Sequence, residues 1–249
     1  MQRRHRLIAV LVVATLLTLP ATTRAGRLTA TLPAEVPASV RARLAPVVDH
    51  ASLSTRVQGE SFVARRDVFE YLLDHPEFAT HVTRTLKLAR YRIWKTAEGL
   101  AIDDGWGTVG TFEVVHAAPG IRVMHARGEY QHRLLPNIRG QAVVLVDYAA
   151  KSFADSTNAI QTAVTGFVKL DSRVLSAAGK LASAVASAKA DREGKQLVKM
   201  FARTTRAIEE DPAGVYEQLR QRPDVPPREL EQFRRLLKLP APAAPAADR

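Results

Sequence analysis

Asp147 stands in the run Val143-Val144-Leu145-Val146-Asp147-Tyr148, which predicts a strand apolar on both faces. A carboxylate buried there without a partner would be costly, so it calls for a cation. Arg127 and Arg139 are the candidates. The pair would serve either as a structural bridge or as a polar anchor in the wall of a cavity. His116 and His125 flank the turn Ala118-Pro119-Gly120. If His116 pairs with Ile121 across that turn, His125 opposes Phe112, and no carboxylate is placed to complete a metal site. Glu113 and Glu129 occupy strands, where a solvated outward position is expected. The chain has no G-x-S-x-G elbow, no HExxH, no Walker loop and no G-x-G-x-x-G opening a helix. Cysteine is absent, which removes disulfides, thiolate zinc sites and thiol nucleophiles. These residues are too few for an acid/base mechanism, and they assign neither a metal nor a cofactor.

Aromatic and sulfur side chains are the better ligand contacts. The candidates are Tyr91, Trp94, Trp106, Phe112, Met124, Tyr130, Tyr148, Phe167, Met200 and Phe201, with His116 and Asp147 as polar members of the same set. Tyrosine and tryptophan combine apolar area with one polar handle. The strand face that each residue takes is left open at this level.

The elements that must position them are legible from periodicity. Ser52 to Val63 reads as a strand broken near Gly59, and Arg66 to Leu73 as a helix with Val68, Phe69, Leu72 and Leu73 on one face. Pro76 interrupts it and starts a second short helix, Glu77 to Val82. Strands follow over Leu86 to Lys95, Leu100 to Ile102, Val109 to Ala117, Ile121 to Leu134, Gln141 to Ala149 and Asn158 to Leu170. Hairpins in direct succession make an antiparallel meander. Asp171 or Ser172 then caps a long helix that Pro212 stops, with a kink or break expected near Gly194. Short helices are expected at Val215 to Arg220 and Arg228 to Leu239.

The 249 residues are 46% hydrophobic and 24% charged, ordinary for a globular protein and too apolar for a disordered one. Arg3, Arg4, His5 and Arg6 precede an apolar run from Leu7 to Leu19, and Thr23-Arg24-Ala25 offers a signal-peptidase site before Gly26. The run is short for a membrane span, which takes about 20 residues, and fits a secretory signal. Cleavage removes four arginines and takes the formal charge from +11 to +7. A periplasmic or secreted protein of that charge meets anionic lipid headgroups more often than nucleic acid, and a simply solvated basic surface is the alternative reading. Residues 26–49 read as a loosely packed N-terminal leader, 50–211 as the main domain, 212–239 as a helical extension and 240–249 as a disordered Pro/Ala tail.

The segment Asp67-Val68-Phe69-Glu70-Tyr71-Leu72-Leu73-Asp74, followed by Phe78, resembles the first helices of the START-like helix-grip superfamily, which includes lipid-transfer and polyketide cyclase-like proteins. The glycine-punctuated hairpins and the helix from Ser172 support the likeness over about residues 50–210. The length of that helix and the extension at 212–239 depart from it. The resemblance implies an α+β fold, a curved antiparallel β-sheet gripping a long C-terminal helix, with two short helices after the first strand and an apolar cavity between sheet and helix. Most members bind a lipid, sterol or polyketide there. Ala177, Ala178, Ala182, Ala184, Ala186 and Ala188, if they face the sheet, leave room for such a ligand.

The function expected is therefore an exported lipid-binding or lipid-transfer protein, with an apolar small molecule or lipid as ligand. An anionic membrane surface, approached through the Arg-rich helix 228–239, is a second partner. The alternatives are a non-catalytic envelope interaction module using residues 212–239 on a protein partner, and a cyclase- or aromatase-type enzyme with Asp147, His116 and Tyr130 converging in the cavity.

Overall fold

Alternating side chains and turn residues build one sheet. In the computed structural model, residues 32–131, 137–153 and 158–241 are described, the side chains of 172–183 excepted. The expected signal peptide, most of the Pro/Ala tail and the side chains of Ala177, Ala178 and Ala182 lie outside the described residues. The order of elements is α1 (Ala38–Val48), β1 (Leu53–Gln58), β2 (Phe62–Ala64), α2 (Arg66–Asp74), α3 (Pro76–Thr85), β3 (Arg92–Thr96), β4 (Gly99–Asp103), β5 (Thr108–Ala118), β6 (Ile121–Tyr130), β7 (Ile138–Ser152), β8 (Asn158–Leu170), α4 (Ser172–Glu210), α5 (Pro212–Arg220) and α6 (Pro227–Leu236). The eight strands form a curved antiparallel sheet in the order β1-β8-β7-β6-β5-β4-β3, with β2 also on β8. The class is α+β, a meander closed against a long C-terminal helix.

Register assigns the two faces. Val57, Val164, Val146 and Arg122 pair across β1, β8, β7 and β6 on the inner face, which receives α4. At alternate positions, Phe167 and Val143 look outward. Gly110, Gly128 and Gly140 stand in one row across β5, β6 and β7. A Cβ on Gly110 would lie 2.3 Å from the Arg127 carbonyl oxygen, and one on Gly128 2.5 Å from that of Val109. The sheet can coil this tightly only where no side chain stands in the row.

The helix α4 runs unbroken through Gly194, where a kink was expected. That glycine is buried, and a Cβ there would meet Val57 Cγ2 at 3.0 Å, so its role is close approach of helix to strand. Val198, Leu197 and Phe201 then pack with Phe62, Phe69, Tyr148, Ile160 and Val164. The N-cap, Asp171, makes no side-chain capping bond. Near the other end, Glu209 accepts from the Arg65 N–H at 2.8 Å and from its guanidinium at 3.2 Å.

Three further findings differ from the expectations. The segment read as a loose leader contains α1, whose Leu44 and Val47, with Val36, cover Val123, Val143, Leu145 and Phe167 on the outer face. The strand expected from Leu86 begins only at Arg92, because Leu86 packs against the helical cluster and the Leu88 N–H bonds to Thr83 O at 2.8 Å, closing α3. The extension at 212–239 is integral: Val215, Leu219, Phe233 and Leu237 bury against Val68, Leu72, Phe78 and Val82.

Candidate functional site

The candidate ligand contacts separate into three places. Met124, Tyr148 and Phe201 belong to the inner core between sheet and α4. Phe167, His116 and Asp147 lie on the outer face by register, Phe167 beneath α1. Tyr130 is on the inner face, so Asp147, His116 and Tyr130 do not converge as an acid/base site would require. Trp94 is 44% exposed on edge strand β3, with the Arg92 guanidinium 5.8 Å from its ring. Phe112 is half-buried on the inner face.

Several pairings also differ from those expected. The Asp147 carboxylate pairs with Arg56 at 3.2 Å rather than with Arg127 or Arg139, and its side chain is partly solvated. Arg139 holds Glu129 at 2.9 Å, and Arg43 of α1 bonds Glu113. The turn is a two-residue one, so Ala118 pairs with Ile121 and His116 with Val123. A bulge between Val114 and His116 then shifts the register by one, so that His125 faces Glu113 instead of Phe112. Among the described residues, no group of three or more His, Asp or Glu is close enough to hold a metal ion.

Tyr91, Trp106 and Met200 do come together. They line a cleft of about 810 Å³ between the 84–92 connection, the β4–β5 loop and residues 196–203 of α4. Seven cationic side chains line it against one carboxylate, that of Asp104. Arg192, Lys199, Arg203 and Arg206 are exposed on α4 at helical spacing, so the cationic wall continues as a ridge along the helix. Across from α4 the Trp106 ring is approached by Arg90 at 5.1 Å and, from α4 itself, by Arg192 at 5.7 Å. Their charge therefore fixes an aromatic side chain that is itself half exposed. Arg84 and Arg222 share the carboxylate of Asp224 at 3.5 and 2.9 Å. Concave walls of one sign focus the potential and attract anions.

A buried polar network supports the floor. Asp104 accepts from the Trp106 and Thr108 N–H groups at 2.6 and 2.9 Å and pairs with Lys189 at 2.5 Å. Lys189 also reaches Glu193 at 3.1 Å and lies 5.0 Å over the Tyr130 ring. Tyr91 donates its hydroxyl to Glu193 at 2.5 Å. Burial, reinforced by that carboxylate, pushes the Tyr91 phenol well up, so it remains a neutral donor at physiological pH. Burial alone would raise Asp104, but the hydrogen bonds from Lys189, Thr108 and Trp106 outweigh it and hold the carboxyl below its usual range.

A carboxyl depressed in the folded state contributes stability above its unfolded pKa and loses it as pH falls through the folded one. Asp104→Asn should therefore cost about 1–3 kcal/mol at pH 7. The difference from wild type should shrink as pH drops below about 4. Urea titrations at pH 7 and pH 3 test this, and a pH-independent difference would show that the ionised state of Asp104 contributes nothing.

No family model matches this chain, and no curated protein matches it. Among solved structures, it is similar to a hypothetical protein of Helicobacter pylori, with a TM-score of 0.36 and 10% identity over 61% of this chain and 86% of that one. Among the described residues no helix is long and apolar enough to cross a membrane.

Proposed function

We propose that this protein is an exported carrier of an amphiphilic, lipid-like ligand, built on the START-like helix-grip plan. The cleft carries the reading: a concavity of about 810 Å³ that joins aromatic and aliphatic side chains (Tyr91, Trp106, Leu88, Met200) to a cationic rim. That mixture suits a molecule with an apolar body and an anionic head. On the same inner face Leu100, Ile102, Phe112 and Ala126 are half-buried, while α4 packs chiefly on β1, β2 and β8. This wing of the sheet supplies apolar wall. Burying ~300 Å² of apolar ligand surface would contribute ~7 kcal/mol before entropy costs, sufficient without catalytic groups.

The cationic ridge on α4 is also the better face for an anionic membrane. The helix at 227–236 is less suited, since Arg234 is 12% exposed and both Arg234 and Arg235 bond Glu231. Native mass spectrometry of the protein from its own host should find bound lipid, and the delipidated protein should take up fluorescent anionic amphiphiles. Failure to bind any lipid, copurifying or added, overturns the carrier reading.

A further inference from the structure

Lys87 holds a left-handed backbone, φ 55°, at the residue after the C-cap of α3. The position closes the helix, its N–H donating to Arg84 O at 3.0 Å. Glycine is the favoured occupant there, because a Cβ crowds the following carbonyl. A lysine in its place keeps a strained backbone together with a long cationic side chain, and that residue lines the cleft. What sets Lys87 apart is its place at a cleft wall, where the retained side chain is available to a ligand.

The charges around it point the same way. Lys87, Lys199 and Arg203 have no ion-pair partner among the described residues, and all three are exposed. Asp104, the carboxylate in the lining, is already engaged by Lys189 and two backbone N–H groups. Three uncompensated cations thus stand on two facing walls, the 84–92 connection and α4.

We propose that the cleft is a subsite for a phosphomonoester or diphosphate group, which Lys87 meets from one wall and Lys199 and Arg203 from the other. A carboxylate has two oxygens and one charge, enough for one wall. A phosphomonoester carries about −1.5 to −2 charges and three acceptor oxygens, so it can bond both walls at once. The subsite deepens the carrier reading: that reading supplies the apolar remainder of the ligand, while the phosphate rests on the cleft alone.

Calorimetric titration of the full chain with dihexanoyl phosphatidic acid, dihexanoyl phosphatidylcholine, decanoate and inorganic diphosphate tests it. Phosphatidic acid should bind about tenfold or more tightly than phosphatidylcholine or decanoate, and diphosphate should displace it. Lys87→Gly should raise Tm and weaken phosphatidic acid binding about tenfold. Lys238, also left-handed at φ 56° after α6 but outside the cleft lining, is the control. Lys238→Gly should raise Tm and leave affinity unchanged. The double variant Lys199→Gln with Arg203→Gln should weaken binding further without loss of fold. If the lipids bind alike and Lys87→Gly leaves affinity intact, the phosphate subsite is overturned and the carrier stands. If diphosphate alone binds, with the same dependence on Lys87, the subsite stands and the carrier reading falls. Binding of none overturns both.

Discussion

Replacing Phe69 by alanine is expected to cost about 4 kcal/mol, the range for deleting a buried phenyl ring. The residue is 1% exposed, and its ring is the junction of three layers. It meets Phe62 of β2 at 5.7 Å, Tyr148 of β7 at 5.2 Å and Phe201 of α4 at 5.8 Å, all edge to face. Each neighbour is anchored in a different element, so none can move into the void without pulling its own backbone. Collapse of the cavity is therefore limited, which places the cost toward the upper half of the usual range. Val63→Ala, one residue from Phe62 but 52% exposed, should change stability by no more than about 0.5 kcal/mol. Urea unfolding followed by circular dichroism gives both values. A Phe69→Ala loss below about 1 kcal/mol, against the cavity scale, would mean that the aromatic cluster is not the closing contact between α2 and the sheet.

The same residue shows how the fold could be read in advance. Val68, Phe69, Leu72 and Leu73 recur at helical spacing, and all four are buried on α2. The strands β5 to β8 followed from alternation and from turn residues such as Pro119-Gly120, because each hairpin is local. Their ends differ in places: β6 ends at Tyr130 rather than Leu134, and β7 runs from Ile138 to Ser152 rather than from Gln141 to Ala149. What depends on distant contacts was not readable. Alternation over Leu86 to Tyr91 has the period of a strand, yet Leu86 is drawn into the α3–α5–α6 cluster. A one-residue bulge at Val115 changes the partner of His125 and leaves no trace in composition. In α1 a signal was present: Val36, Val40, Leu44 and Val47 recur at helical spacing, but alanine, proline and arginine around them suggested a loose leader.

The cleft was less legible than the core, for a physical reason. Its walls come from residues 84–92, 104–106, 196–203 and 222, and no local pattern announces that these meet. Side-chain chemistry alone does not separate the aromatic residues, so core members such as Tyr148 and rim members such as Trp106 look alike in the sequence. The stripe Arg192, Lys199, Arg203 and Arg206 was visible in the sequence, whereas its position opposite Lys87 depends on how α3 ends. Asp147 illustrates the converse. Its partner Arg56 sits on β1, separated from β7 by β8, and only the sheet order brings the two together.

Asp74→Ala is expected to destabilise the protein more than Arg122→Met, although the two residues form one ion pair. Arg122 Nε and Nη2 grip the Asp74 carboxylate at 2.6 and 3.0 Å, tying the end of α2 to β6. The guanidinium also donates to the carbonyls of Ala118 and Ile121 at 2.7 and 2.9 Å and to the Tyr148 hydroxyl at 3.2 Å. Tyr148 in turn donates to Glu70 at 2.7 Å. The burial is unequal: 7% of the Arg122 side chain is exposed against 44% of Asp74. Removing Asp74 strands a buried cation, whose full penalty is about 3–5 kcal/mol. The three remaining acceptors bring the expected loss to about 2–3 kcal/mol. Removing Arg122 instead leaves a carboxylate that water can reach and takes a donor from the Ala118 and Ile121 carbonyls. Methionine retains much of the packing, so the loss should be about 1–2 kcal/mol. The Asp74→Leu, Arg122→Met pair should recover most of the Asp74→Ala deficit, because it leaves no orphaned charge. Equal losses from the two single variants, measured by urea midpoints at constant m, would show that the latch acts through surface charge rather than through the desolvated guanidinium.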